Sequence, residues 1–152
     1  MDAMSNHEIG SALSKYNSFL GVFSANINPI PLIRSYPCCF IMNTKPRSEA
    51  NGGHWLAFYL LSSNCLEFFD SLGLSLASYI TIHHYFVNFN IIHSNKFQLQ
   101  LPSTSLCGDY CVTFITLRVA TNSYPSSIEI IKSNSKGKVR DSFVRRVRLF
   151  NK

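Results

Sequence analysis

The chain has 152 residues, 46% of them hydrophobic and 14% charged, a balance that excludes a disordered chain and suffices for one domain spanning 1–152 around a buried core. No apolar run reaches the length of a membrane span, and the start of the chain lacks the basic and apolar regions of an export signal. Five cysteines, an odd number, then point to reduced thiols and an intracellular protein with no membrane partner. The net charge of +6 is concentrated at one end: residues 132–152 hold eight of the fourteen Lys and Arg against a single acid, Asp141. Such a tail suits an acidic partner, nucleic acid first, or equally a solvated face.

In chain order, Ser5-Asn6-His7-Glu8 has capping-box spacing, and Ile9, Ala12, Leu13 and Tyr16 follow at helical intervals. Asn26 to Pro37, with three prolines, reads as loop, and Cys38 to Met42 as a short buried strand. Trp55 to Leu61 and Cys65 to Phe69, separated by Ser62-Ser63-Asn64, predict a hairpin. Ser75 to Phe89 leans to helix, and Lys96 to Leu101 reads as a further strand. From Cys107 through Leu117 the sequence is largely apolar with no Gly or Pro after Gly108, so a buried helix is expected to begin at the cysteine. Ser133 to Gly137 is a local loop. The last element, 138–150, puts Val139, Phe143, Val147 and Phe150 on one helical stripe with arginines between.

A cysteine in the first turn of a helix lies where unpaired backbone amides and the macrodipole favour a negative charge. An ordinary thiol is only roughly 3% thiolate at neutral pH, and lowering its pKa to near 7 needs about 2 kcal/mol of preferential stabilisation. A helix terminus supplies about 0.3–1 kcal/mol, so an imidazolium must supply the rest, with an acceptor on its other nitrogen. Among the five histidines, His83, His84 and His93 have no acid close in sequence. A tight turn at Ser62 or Ser63 pairs residues whose numbers sum to about 124–126. His54 and Asp70 then lie across the open end of the hairpin, or one step off, where the carboxylate can orient the ring. Taken singly, each of these residues has an ordinary structural explanation; it is the combination with Cys107-Gly108 that points to nucleophilic catalysis.

The same residues resemble a family. Phe19-Leu20-Gly21, Gly52-Gly53-His54-Trp55, Phe69-Asp70-Ser71-Leu72-Gly73 and the run from Gln100 to Cys107-Gly108 resemble, in order, the motifs of the adenovirus-type cysteine endopeptidases (adenain). That family belongs to the wider clan of the SUMO and ubiquitin-like-protein peptidases. Asp70 stands where adenain has Glu, as is usual in the SUMO-peptidase branch; the Gly pair is one residue closer to the histidine than in adenain. The resemblance implies an α+β fold, a small mostly antiparallel sheet bearing His54 and Asp70 and packed against the helix that starts at Cys107.

It also implies an activity: peptide hydrolysis by Cys107, His54 and Asp70, with Gln100 and the Cys107 amide as oxyanion donors. Gly52, Gly53 and Trp55 would line the substrate path, and cleavage after Gly-Gly or Gly-X-Gly in viral or virus-like precursors would follow. The setting would be the host nucleus or cytoplasm, or the virion. No cofactor is needed for the chemistry, but DNA or a peptide can activate members of the family, and Arg140, Arg145, Arg146 and Arg148 are the candidate DNA contacts. Adenain's activator-binding Cys has no counterpart between Asn88 and Leu99. Three rival readings are a ubiquitin-like-protein peptidase, a non-catalytic nucleic-acid-binding domain, and a metal site; the cysteine spacings do not match a zinc site, so no metal is expected.

Overall fold

The computed structural model describes residues 3–46, 53–102, 104–134 and 138–150. Helix α1 (Asn6–Leu13) opens with the expected capping box, the Ser5 side chain accepting from the Glu8 amide while Glu8 accepts from the Ser5 amide at 2.8 Å. Five strands follow: β1 (Phe19–Phe23), β2 (Cys38–Asn43), β3 (Trp55–Ser62), β4 (Cys65–Phe69) and β5 (Asn90–Ser94), with α2 (Ile80–Tyr85) between the last two. They form one sheet in the order β1-β2-β3-β4-β5. Its centre, β2-β3-β4, is antiparallel, and each outer strand is parallel to its neighbour. The α+β architecture is therefore present, with the centre of the sheet antiparallel.

Alternation along the strands explains why β2 is buried from end to end. Cys39, Ile41, Ala57, Tyr59 and Phe69 face one apolar cluster; Phe40, Met42, Leu56, Phe58 and Phe68 face another. The first cluster is covered by α1, α3 (Cys107–Thr121), α4 (Tyr124–Ser133) and α5 (Lys138–Phe150), and the second by α2 and the β1–β2 connection. A sheet covered on both faces has no polar side to display, hence the near-continuous apolar sequence Cys38-Cys39-Phe40-Ile41-Met42.

α3 is the central helix of the covering layer, with every residue from Cys107 to Ile115 buried. Phe114, two turns after Cys107, stacks on Phe69 with ring centroids 4.7 Å apart. Such a pair contributes about 0.5–1.5 kcal/mol beyond the area it buries. Because Phe69 immediately precedes Asp70, this stack sets the longitudinal position of α3 against the open end of the hairpin.

Two expectations are corrected. Lys96 to Leu101 is not a strand: the Leu99 and Gln100 amides are both captured by the Ser71 carbonyl, at 2.9 and 3.0 Å, so they cannot join a ladder. The strand lies earlier, at β5. The segment expected as one helix over 75–89 is a 3-10 turn, Leu76–Ser78, followed by the short α2.

A third correction concerns α5. Val144 is fully buried, Phe143 packs at the core margin, and Arg140, Asp141 and Arg148 point inward; the side chains of Val139 and Phe150 lie outside the described residues. Arg140 donates to the carbonyls of Leu99 (3.1 Å) and Lys132 (3.4 Å), and Arg148 to Glu8 (2.9 Å) and Asp109 (3.5 Å). The surface under α5 offers carbonyls and a buried carboxylate, which need donors when water is excluded, so the helix turns its arginines inward. Arg140 and Arg148 are therefore not on a solvated cationic face. Arg146 is exposed and Arg145 half-buried.

Candidate active site

His54 immediately precedes β3, and its backbone is held from the end of β2. Thr44 donates its amide to the His54 carbonyl at 2.8 Å, and the His54 amide donates to Thr44 Oγ1 at 3.1 Å. Gly53 is where it is because Asn43 leaves no room: a Cβ there would stand 2.0 Å from Asn43 Oδ1. That close approach, rather than free rotation, is the role of this glycine; Gly52 lies outside the described residues. Trp55 donates its indole N–H to the Met4 carbonyl at 3.2 Å, with its ring edge against Gly108. It thereby fastens the chain before α1 to the start of α3.

Asp70 follows β4 directly. The ladder partners sum to 126 from Ala57–Phe69 to Leu60–Leu66, so His54 and Asp70 sit two positions out of register and meet on the diagonal. His54 Nε2 is 2.6 Å from Asp70 Oδ1. The carboxylate also accepts from the amides of Leu72 (2.9 Å) and Leu74 (3.2 Å) and from the Tyr79 hydroxyl (2.6 Å). Asn95 holds the Asp70 backbone on both sides, accepting from its amide and donating to its carbonyl. The turn closes through Gly73, whose φ of +76° and contact with the Phe97–Gln98 backbone exclude any side chain.

Electrostatically the pair is an ion pair. Burial alone would raise the Asp70 carboxyl, but hydrogen bonds and charge from His54, with Tyr79 and the Leu72 amide, hold it below its ordinary value. Burial likewise opposes charge on His54, whose side chain is 16% exposed. Hydrogen bonding to Asp70 and Cys107, and the charges of both, outweigh burial and raise the ring to about 9. With Nε2 committed to Asp70, Nδ1 is the nitrogen left for the Cys107 thiol. Cys107 is the first residue of α3, where backbone amides have no partner within the helix. A thiol, an imidazole raised to about 9 and a buried carboxylate thus adjoin one another, a set able to generate a thiolate and to deliver a proton.

Gln100 is 4% exposed, with both ends of its side-chain amide hydrogen-bonded. Its Oε1 accepts from the Ser71 hydroxyl at 2.6 Å and its Nε2 donates to the Thr104 carbonyl at 2.7 Å, tying it to the loop just before Cys107. The amide carries two hydrogens, and Thr104 takes one.

The structure joins His54 to Asp70 directly, sets Cys107 close enough to act on the ring's charge, and links Gln100 to Asp70's neighbour Ser71 and to Thr104; it leaves Arg140 and Arg148 elsewhere, as packing groups. Sequence reasoning missed Thr44, Ser71, Tyr79 and Asn95, whose contacts come from segments distant in the chain. It also set His93 aside for want of an acid, yet His93 Nδ1 lies 2.9 Å from Glu67 Oε2 across the β4–β5 pair. That pair serves packing: the other Glu67 oxygen accepts from buried Arg118 at 2.7 Å, whose guanidinium covers the Tyr59 ring. Among the described residues no three His, Cys, Asp or Glu side chains are grouped as metal ligands, and no helix is long and apolar enough to cross a membrane.

No protein-family model matches the chain, and no curated protein matches it. Among solved structures, it is similar to the central domain of the uncharacterized Lpg1148 protein from Legionella pneumophila. The TM-score is 0.58 at 17% identity, over 99% of this chain and 98% of that one. At that identity the two share a fold.

Proposed function

We propose that the chain is a cysteine endopeptidase. The observation that carries the reading is that Asp70 and Cys107 both engage the His54 ring, which is thereby kept protonated beside the thiol. In the proposed reaction the Cys107 thiolate attacks the scissile carbonyl carbon. The carbonyl oxygen becomes an oxyanion facing the Cys107 amide and the second hydrogen of the Gln100 amide. His54 gives its proton to the leaving amine as the C–N bond breaks, leaving a thioester. Water, deprotonated by His54, then attacks the thioester; the acid product leaves and the thiol is restored.

The resemblance to adenain extends the proposal to substrates cut after Gly-Gly or Gly-X-Gly in viral or virus-like precursors, with DNA or a peptide as activator. Asp70 in the acid position favours the ubiquitin-like-protein peptidases as the second reading, with the same chemistry on a folded substrate. A purely nucleic-acid-binding domain is disfavoured, because two of its four arginines, Arg140 and Arg148, are spent inside the molecule. The test is hydrolysis of Gly-Gly peptides and of ubiquitin-like fusions by the native chain, Cys107→Ala and His54→Ala, with folding checked by circular dichroism. Both variants should lose turnover by more than about 10³-fold, since loss of either removes the same activated thiolate. Native-rate turnover by folded Cys107→Ala, or none by the native chain on either substrate, would end the reading.

A further inference from the structure

Ser71 adjoins Asp70 and grips Gln100 twice. Its carbonyl accepts from the Gln100 amide at 3.0 Å, and its hydroxyl donates to Gln100 Oε1 at 2.6 Å. Ser71 is wholly buried, so water cannot substitute for that hydroxyl. The orientation of the Gln100 side chain is chemically determined. The Thr104 carbonyl can only accept, so the nitrogen must face Thr104 and the oxygen Ser71; turning the amide over would set oxygen against oxygen.

We propose that Ser71 is a positioning residue that locks the Gln100 amide with its NH2 group toward the Cys107 loop, so that one dipeptide, Asp70-Ser71, mounts both halves of the site. Asp70 orients the base and Ser71 orients the oxyanion donor. The dipeptide is itself fixed, since Asn95 holds the Asp70 amide and carbonyl and the Leu99 and Gln100 amides hold the Ser71 carbonyl. Without the Ser71 hydroxyl the amide is held by Thr104 alone and can tilt about that single bond, so its second N–H no longer has a fixed direction toward the oxyanion. The inference rests on reading Gln100 as an oxyanion donor.

Three measurements on Ser71→Ala test it. Hydrolysis of a Gly-Gly peptide should fall about tenfold to a hundredfold in kcat, at or below the loss of a whole oxyanion donor, with KM within about twofold. Alkylation of Cys107 by iodoacetamide should keep its native rate, because that reaction needs the thiolate and His54 but makes no oxyanion. Solvent exchange of the Gln100 side-chain amide protons, followed by NMR, should quicken at least tenfold. In a Gln100→Ala background, Ser71→Ala should cost nothing more. Ser71→Cys, of nearly the same shape and a weaker donor, should fall between, and serves if the alanine variant does not fold. Equal losses of alkylation and hydrolysis, a further loss in the Gln100→Ala background, or unchanged exchange would each overturn the proposal. Absence of native turnover would refute the peptidase reading alone, since the exchange measurement still decides the role of Ser71.

Discussion

Replacing Asp70 with asparagine removes one charge and almost no volume, and the structure states what should follow. All four partners of the carboxylate face it as donors: His54, the Leu72 and Leu74 amides, and Tyr79. Asparagine has an NH2 group that must face one side of this ring of donors. Turned toward His54, it forces Nε2 to accept and places the ring proton on Nδ1, where it can no longer receive the thiol proton. Turned away, it confronts the Leu74 amide. In either case the ring loses its counter-charge, so its pKa should fall from about 9 toward the ordinary 6.5. That is a change on the order of 3 kcal/mol in the preference for imidazolium. At pH 8 a fall all the way to 6.5 lowers the protonated fraction about thirtyfold, an upper bound because Cys107 still favours the imidazolium, and the wrong tautomer lowers turnover further.

The raised His54 pKa also sets the sign of a stability effect. Its contribution is complete below about pH 6.5, declines above it and is gone once the pH passes about 9. The variant's deficit should therefore be greatest on the acid side of that window. Titration of the His54 Cε1 proton by NMR, beside the pH profile of kcat/KM, measures both consequences. A ring that still titrates near 9 in Asp70→Asn, or an alkaline limb of activity that does not move, would refute the argument.

Iodoacetamide should label Cys107 before the other thiols. Burial pushes Cys38 up to about 11 and Cys39 up to about 12 and raises fully buried Cys111 well above its ordinary value; earlier modification of Cys111, read by peptide mass mapping, would contradict this. Arg148→Met should cost about 3 kcal/mol in urea unfolding at pH 7, because it strands buried Asp109. Burial already holds the Asp109 carboxyl above its ordinary value, so this deficit should shrink as the pH falls and the group is neutralised; Arg146→Ala, at an exposed position, should change stability by less than about 0.5 kcal/mol. Of the four α5 arginines, duplex DNA can meet Arg145 and Arg146, so these two should contribute no more than about −2 to the dependence of log K on log salt. A change of slope greater than that on Arg145→Ala/Arg146→Ala, measured by fluorescence anisotropy, would contradict this limit.

The hairpin was legible because its aromatic strands flank a short polar turn, and the α3 start because nothing in the sequence breaks the helix after Gly108. The register placed His54 and Asp70 near each other, but their contact is diagonal, made possible by side chains beyond the last ladder pair. What escaped was non-local. Gln98 to Leu101 alternates like a strand, yet its amides belong to Ser71, a partner no periodicity reveals. Ile91-Ile92 was the β-branched signal for β5, obscured by the neighbouring aromatic run. The inward arginines of α5 depend on carbonyls and a carboxylate supplied by α3, α4 and the loop before α3, so counting apolar residues alone left Arg140 and Arg148 on the solvated face. Glu67 and His93 became partners only through a parallel strand pairing.

Arg148 reaches both Glu8, in α1, and Asp109, two residues after Cys107. Along the chain His54 and Asp70 come first, Cys107 next, and the arginine that clamps the start of α3 after them. Contacts spanning 140 residues are among the slowest to close, because the loop entropy must be met before they contribute. Until α5 docks, Asp109 has no cation, and the first turn that carries Cys107 lacks its outer wall. The order of the first turn of α3 is therefore tied to the docking of α5, through one arginine that answers to two distant segments.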